Sequence, residues 1–574
     1  MNNQEIAKIF SNISTILEIK GESKFRVIAY ERAADVIGNL TKDLRDIYEE
    51  GGIKALEKVP GVGESLAEKI EELLKTGKLK YYKDLTKEFP EKMLVLTEVP
   101  GIGPKTALAL YEKLGIDSIA KLEKAAKTDK ISKLPHFKKQ SEKNILRGIV
   151  QFRVRTKERN RMVLTTAGPI ADEVMAYINK DKAVKQSNVV GSLRRMKETI
   201  GDVDIVVATP KPKKFISYFA KAPFIKNILV QGDTKISVMH TKSVRIDLEI
   251  LPEQDYGSLL QHFTGSKEHN VHLRTWAVEH KLKLSEYGIG KKRKLYHFKD
   301  EKKFYNFLGM EYIEPELRED RGEIEAALKH ELPKLIGYKD LQGDLHCHTQ
   351  KSDGTNTIEE LAQKALSKKY KYLGISDHTV GLGVASGLSD KKLLQHKIEI
   401  QKANKKFKGL KLLAGAEINI TAAGKLDISQ TVIKKLDYGI GSVHSAFNQD
   451  EATMTKRILS AIKSGIKILG HPSGRLIGQR QAYAVDWVEI FKACAKYKVA
   501  LEVNSFPERL DLKDTLIKDA LAYGCKFSID SDAHALEHMD LIKYGIATAR
   551  RGWATKADVI NSWSLDKLRQ WLKT

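Results

Sequence analysis

The sequence predicts a multidomain chain whose class changes along its length, from all-α to α+β to an α/β barrel or sheet. Three observations carry this. At 574 residues the chain exceeds one core, given about 100–200 residues per domain. Apolar residues recur at helical spacing in the first 155 or so residues and then give way to short β-rich runs. Beyond residue 339 strands and helices alternate, as parallel α/β folds require. With 42% hydrophobic residues, there is enough apolar side chain for buried cores, so disorder is excluded.

Residues 1–90 read as amphipathic helices, with Ile6, Phe10, Ile13, Ile16 and Leu17 on one stripe and Val27, Ile28, Ala34, Val36 and Ile37 on another. Val59-Pro-Gly-Val-Gly-Glu-Ser-Leu-Ala-Glu-Lys-Ile70 recurs as Val99-Pro-Gly-Ile-Gly-Pro-Lys-Thr-Ala-Leu-Ala-Leu110, and Leu134-Pro-His-Phe-Lys-Lys139 reads as a third copy without glycines. Such a turn brings the main chain close to a ligand at Gly61, Gly63, Gly101 and Gly103, and the following helix offers free N–H groups to a phosphate. Lys105 adds a mobile cation. The pattern resembles the helix-hairpin-helix motif, which implies contact with a DNA backbone and little reading of bases.

Charge and cysteine content set wider bounds. Lys and Arg total 98 against 74 Asp and Glu, a net charge of +24, which fits either a polyanionic partner or a generally lysine-rich composition. The three cysteines Cys347, Cys494 and Cys525 are too few and too far apart for a disulfide framework, so a reducing compartment is expected. No signal peptide or apolar run of membrane-spanning length is seen. These readings predict a cytoplasmic chain with no membrane association.

In the middle region the runs Asn188-Val-Val-Gly, Val203-Asp-Ile-Val-Val207 and Val244-Arg-Ile-Asp-Leu-Glu-Ile250 are predicted strands. Alternation puts Asp202 and Asp204 on one face while Val203 and Ile205 enter the core, and Asp247 supplies a third carboxylate. Such a set suits a pair of hard divalent ions. Gly191 and Ser192 form a tight turn fit for phosphates, with Arg195 as charge partner and Gly201 leading into the acidic strand. An isolated Asp-x-Asp is common on exposed strands; Gly-Ser, then Gly-Asp-x-Asp, then a third strand Asp is far more specific.

That combination resembles the nucleotidyltransferase palm of the family X DNA polymerases, the polymerase beta group. His262-Phe-Thr-Gly-Ser-Lys-Glu-His-Asn270-Val-His-Leu-Arg274 extends the resemblance. It implies a thumb in which Phe263 and Gly265 lie beside the sugar, Asn270 contacts the nucleotide and Arg274 faces the template. His262 stands where the family commonly carries Tyr, and Glu249 where polymerase beta has an arginine, whereas Arg245 fits the family strand. The resemblance also places Lys69 at the Schiff-base lysine of a deoxyribose-phosphate lyase and matches Tyr30, with Arg26 and Ser65 at neighbouring positions. It implies Mg²⁺ or Mn²⁺ at the carboxylates.

In the last third, His346 and His348 project from one face of a strand and Cys347 from the other, as a buried small side chain. Asp353, Asp377-His378, Glu417, His444, His471, Asp532 and His534 follow at the ends of successive predicted strands. Imidazole and carboxylate without thiolate suit Zn, Mn or Fe. The set resembles the PHP domain, a distorted barrel with up to three metal ions that hydrolyses phosphoesters. The resemblance implies nine ligands: His346, His348, Asp353, His378, Glu417, His444, His471, Asp532 and His534. Arg475 reads either as a phosphate clamp or as a surface arginine.

Taken together, the resemblance covers nearly the whole chain. It implies a helix-hairpin-helix lyase-like domain at 1–90, a fingers-like helical subdomain at 91–155, a palm at 156–255, a thumb-like subdomain at 256–320, a linker at 321–338 and a PHP domain at 339–574. The expected activities are filling of short gaps in primer-template DNA from dNTPs, 3′–5′ exonuclease, and abasic-site endonuclease or 3′-phosphatase, in a monomer. A PHP small-molecule phosphatase fused to a DNA-binding region, a non-catalytic DNA scaffold and an RNA nucleotidyltransferase are the alternatives.

Overall fold

Two units make up the chain, Met1–Arg159 and Asn160–Thr574. The computed structural model describes all residues except 2, 40–43, 60, 100, 136, 160 and 382–385. Pro60 and Pro100 of the repeated turns and His136 of the third copy therefore lie outside the described residues.

The first unit is helical. Ile6, Phe10, Ile13, Ile16 and Leu17 are all buried, as their spacing on helix Asn3–Lys20 predicts. On helix Lys24–Asn39 the buried stripe is Tyr30, Ala33, Ala34 and Ile37, and Ile28 faces outward, contrary to expectation. Two residues from Tyr30 is about 200° around a helix, so both cannot face one core. A second apolar cluster around Leu96, Val99, Ile102, Leu110 and Ile149 serves the second half of the unit.

All three repeat copies keep one hydrogen bond. Val62 N donates to Val59 O at 3.0 Å, Ile102 N to Val99 O at 3.0 Å, and Phe137 N to Leu134 O at 3.2 Å. Gly61 and Gly101 adopt φ of +79° and +88°, a region closed to most side chains. Gly63 and Gly103 then cap helices Glu64–Thr76 and Pro104–Leu114 without any side-chain hydrogen bond. Glycine brings no side chain to cap the first-turn amides.

The second unit begins with a five-stranded sheet in the order Gln186–Val189, Val203–Ala208, Arg245–Leu251, Lys235–His240, Ile225–Gln231. Val203–Ala208 and Arg245–Leu251 run parallel and place Asp204 directly opposite Asp247. The strands at 225–231 and 235–240, and the antiparallel ribbon formed by Leu282–Ser285, Gly288–Lys291 and Lys294–Tyr296, carry no motif and were not among the predicted strands.

The remainder is a parallel barrel. Strands Gly343–Asp344, Tyr372–Ile375 and Lys411–Ala414 form one sheet, and Glu417–Asn419, Ile440–Ser442, Ile468–Leu469, Ala500–Asn504 and Phe527–Asp530 the other. Single bridges His378 to Glu417 and Cys347 to Ala533 join the two sheets. Nearly every strand residue is buried, as expected where helices cover the outside of a parallel sheet.

The segment expected as a linker, 321–338, carries a helix Glu323–Lys329 whose Glu323 and Ile324 are buried. Just before it, fully buried Arg318 bonds Glu301 at 2.6 Å and Ile313 O at 2.9 Å. The charges of this stretch are paired inside the second unit. Glu316 pairs with Arg550 at 2.8 Å, and Arg551 bonds Asp514 at 2.8 Å, Glu319 at 3.1 Å and the carbonyl of Arg195 at 2.7 Å. Arg195 in turn bonds Glu319 at 2.9 Å.

Removing one partner of such a buried set leaves the others unpaired. Arg551→Ala should therefore lower stability by about 3–5 kcal/mol, read as the shift in denaturation midpoint of the full chain. A shift below about 0.5 kcal/mol would contradict it.

Candidate active sites

The first site forms at the edge of the five-stranded sheet, where Asp202, Asp204 and Asp247 bring carboxylate oxygens within 4.8 Å of one another. Arg245 donates to Asp247 at 2.9 Å and fixes its orientation. Glu249 points to Lys235 at 2.5 Å and leaves Asp247 alone. Burial, followed by the charges of Asp202 and Asp247, pushes Asp204 up to about 7.

The Gly191-Ser192 turn packs against this triad. A Cβ on Gly191 would lie 2.2 Å from Asp204 Oδ2, and Gly191 has φ of +63°. Val190 N also donates to Asp204 O at 2.8 Å. The turn and the carboxylate therefore occupy one position only if residue 191 has no side chain.

Arg195 leaves the same turn, and its guanidinium lies between the Thr264 carbonyl and Glu319. That carbonyl precedes Gly265, whose φ is +70°. Asn270 donates to the His262 carbonyl at 2.7 Å and accepts from Gln261 at 2.8 Å. His262 stacks at a tilt on Phe263, with ring centroids 4.9 Å apart, and meets Arg274 at 3.3 Å. The predicted nucleotide residues are thus brought beside the triad's turn. Unanticipated from sequence were Arg194 and Glu301, paired at 2.8 Å, which tie this turn to helix Glu301–Phe307. A buried Glu opposite a paired arginine has no sequence spacing that would reveal it.

The second site lies at the C-terminal ends of the barrel strands, and all nine predicted ligands converge there. Glu417 is its hinge. One carboxylate oxygen faces His346 at 3.3 Å and His348 at 3.6 Å, and the other faces His444 at 3.3 Å and His471 at 3.0 Å. Asp532 approaches His348 at 3.2 Å and His346 at 3.5 Å. Asp353 lies 3.4 Å from both His378 and His534.

The donor chemistry fits resident metal ions. His346 Nε2, His348 Nδ1, Glu417 Oε2, His444 Nδ1 and His471 Nδ1 are buried without a hydrogen-bond partner, an expensive state for polar atoms unless something else binds there. Burial, then the charge of His534, lowers His348 to about 4, which keeps that imidazole neutral as a ligand must be. Burial opposes ionisation of Glu417, but His378 and His346 hold it well below the ordinary carboxylate range.

A further layer orients these ligands. His346 Nδ1 donates to Glu502 at 2.6 Å, and Glu502 also accepts from His471 N. Asn504 donates to Asp532 at 3.0 Å. Glu502 and Asn504 were missed, although two polar residues in the otherwise apolar strand Ala500–Asn504 were a readable signal. Asp377 does not face the ligands. It accepts from Thr349 N at 2.8 Å, Ser352 at 2.7 Å and His396 at 2.8 Å, and so shapes the loop that presents Asp353. Cys347 is buried and turned away, as expected. Arg475 is not free for a phosphate, since it pairs with Glu198 at 2.8 Å and donates to the Leu510 carbonyl.

In the first unit, Lys69 bonds Ser65 Oγ at 2.8 Å and lies 5.7 Å from the ring of Tyr81, which receives a hydrogen bond from Arg26 and stacks on Tyr30. Burial lowers the Lys69 amine, and Arg26 adds to that effect.

Matches to known families follow the same order. Residues 1–79 match the helix-hairpin-helix domain, 93–149 the SAM-like helix-hairpin-helix tandem, 259–319 the DNA polymerase beta thumb and 344–506 the PHP domain. The DNA polymerase/3′-5′ exonuclease PolX of Bacillus subtilis is 34% identical over the full length of both chains. DNA polymerase lambda of Arabidopsis thaliana is 25% identical over 55% of this chain and 62% of its own. A probable phosphatase of Thermoanaerobacter sp. is 28% identical over 40% of this chain and 94% of its own.

A metal ion entering the aspartate triad must expel the proton that Asp204 holds below about pH 7. Mg²⁺, which imidazole-rich sites disfavour, should therefore bind the triad more tightly as pH rises from about 6 to about 8. Calorimetric titration of the full chain checks this, and an affinity flat across that range contradicts it.

Proposed function

Because the chain belongs to the family X DNA polymerases that carry a C-terminal PHP domain, we propose that its two metal-ligand clusters divide its two activities between them. It is a DNA polymerase with an associated 3′–5′ exonuclease, and its substrates are DNA and dNTPs. The observation that carries the division is that one unit holds both an all-carboxylate triad and a separate cluster of six imidazoles and three carboxylates.

We assign Asp202, Asp204 and Asp247 to polymerisation. Hard divalent ions there, Mg²⁺ or Mn²⁺, would supply charge neutralisation at the triphosphate and lower the pKa of a primer hydroxyl. The chain's own part is positional. Arg245 holds Asp247, Gly191 leaves room for Asp204, and the amides of Gly191 and Ser192 would receive the phosphates. Arg195, expected from the sequence as their charge partner, is instead committed to Glu319 and the Thr264 carbonyl and braces the turn. Phe263, Gly265 and His262 would border the sugar, Asn270 the nucleotide and Arg274 the template. Gly61, Gly63, Gly101, Gly103 and Lys105 would grip the DNA backbone.

The nine-residue cluster is assigned to phosphodiester hydrolysis, with up to three Zn²⁺, Mn²⁺ or Fe²⁺ ions. Glu417 would be shared between two ion positions, since one oxygen faces His346, His348 and His378 and the other His444 and His471. Glu502 fixes the His346 ring so that Nε2 faces the cluster. Filling of short gaps in repair and opening of abasic sites or 3′-phosphates are the processes this pairing fits. Lys69 is proposed as a lyase nucleophile, supported by its lowered amine and its contact with Ser65. The same domain ranges read from the sequence are proposed as functional modules.

A labelled primer on gapped DNA, with and without dNTPs, tests the division. Asp202→Ala with Asp204→Ala should abolish extension and spare shortening, and His346→Ala with His348→Ala should do the reverse. Wild type that does neither in Mn²⁺ would sink the reading. Gly191→Ala, which drives a methyl into Asp204, should slow extension about 10²-fold; extension at the wild-type rate would show that the turn has room to spare.

A further inference from the structure

The barrel site has its metal ligands but no assigned group for the substrate's phosphate, since Arg475 is committed elsewhere. Two other arginines lie on neighbouring loops. Arg480 donates to the Gly474 carbonyl at 2.8 Å and covers the ring of Phe447 at 3.8 Å. Arg509 is different. Its guanidinium makes no hydrogen bond among the described residues, and its one ion pair is a long approach of Nε to Asp532 Oδ2 at 3.8 Å. The side chain keeps 22% of its surface exposed.

Asp532 uses its other oxygen toward His346 and His348, so Arg509 stands on the outer flank of a ligand carboxylate. One cation thus borders a ligand carboxylate of the cluster while its terminal nitrogens remain uncommitted among the described residues. A guanidinium left this way suits bidentate binding to the non-bridging oxygens of a phosphodiester.

The loop that carries Arg509 is tightly held. Asp511 accepts two hydrogen bonds from Ser473 N at 3.2 and 3.0 Å, and Ile477 N donates to Glu508 O at 2.6 Å. Leu510, fully buried, inserts into the core of the five-stranded sheet domain with Leu193 and Tyr544. Arg475 clamps the Leu510 carbonyl while pairing with Glu198. The two neighbours of Arg509 are therefore anchored in other elements, and the arginine's place beside Asp532 costs little further ordering when a ligand arrives.

We infer that Arg509 is the phosphate-binding residue of the barrel site, engaging the non-bridging oxygens of the scissile phosphate at the 3′ end of a DNA strand. The inference rests on the assignment of hydrolysis to this cluster. It also explains why a loop so close to the ligands is braced from outside the barrel: a phosphate clamp that wandered would lose the alignment of phosphorus with the ions.

Inorganic phosphate, the simplest probe of this site, tests it on the Mn²⁺-loaded full chain. Arg509→Ala should weaken phosphate binding, measured by calorimetry, about 10- to 100-fold, with bound Mn²⁺ unchanged by elemental analysis. Arg509→Lys should recover part of the loss. In exonuclease assays the Ala variant should show a raised KM for 3′-ended DNA. Phosphate affinity equal to wild type, or loss of metal with the arginine, would overturn the inference. Wild-type protein that binds neither Mn²⁺ nor phosphate would instead remove the assignment of the cluster itself.

Discussion

Arg551 is the point on which the second unit depends. Buried, it bonds Asp514 on a barrel helix, Glu319 at the end of the thumb region and the carbonyl of Arg195 beyond the Gly191-Ser192 turn. A charge taken out of water costs several kcal/mol, which is recovered only if every donor finds a partner. Three elements far apart in sequence must therefore meet at one place or leave the arginine unpaired. Burial opposes ionisation of Glu319, yet Arg551, Arg195 and Lys197 hold it down to about 2, so the lattice stays charged through the physiological range. The constraint explains why the Gly191-Ser192 turn and the PHP barrel belong to one compact unit.

The two sites solve opposite electrostatic problems. At the triad, burial and then the charges of Asp202 and Asp247 raise Asp204, while Arg245 pairs with Asp247. In the barrel, three carboxylates sit among six imidazoles. There the rings can carry protons before ions arrive: Glu417 and then Asp353 outweigh burial and raise His378 to about 10. Ion binding must displace such protons, so metal content in both sites is tied to pH, but by different groups. The imidazole-rich cluster favours softer ions and the carboxylate triad harder ones.

Much of this was legible because catalytic chemistry writes itself in short, spaced motifs. Asp202 and Asp204 share a face because strands alternate, and the alternation was visible in Val203 and Ile205. Strand ends drew attention to the barrel residues, because parallel barrels place their chemistry there, but it was the resemblance to the PHP domain that set the nine apart from Asp377, which faces Thr349, Ser352 and His396 instead. Less could be read where a residue's meaning depends on a distant partner. Arg475 looked available for a phosphate until Glu198, far away in the chain, was found against it. Glu502 and Asn504 stand out as polar residues in an apolar strand, but the sequence does not show what they support, and Arg509 on the loop beyond carries no local signal.

By itself the sequence determined the periodicities and the repeated glycine turns, since these follow from local stereochemistry, and with the PHP resemblance it offered nine candidate ligands that the fold brings together. It could not determine which charges cancel one another. The run from Glu314 to Gly322 reads only as a charged connection, and the fold pairs Glu316, Arg318 and Glu319 with partners across the unit. Pairing is decided by distance in space, and desolvation makes the same residue either a surface charge or the fixed point of an interface. Tertiary structure alone decided that the loop beside the PHP ligands is held from the polymerase side, because the core that receives Leu510 exists only once both domains are folded together.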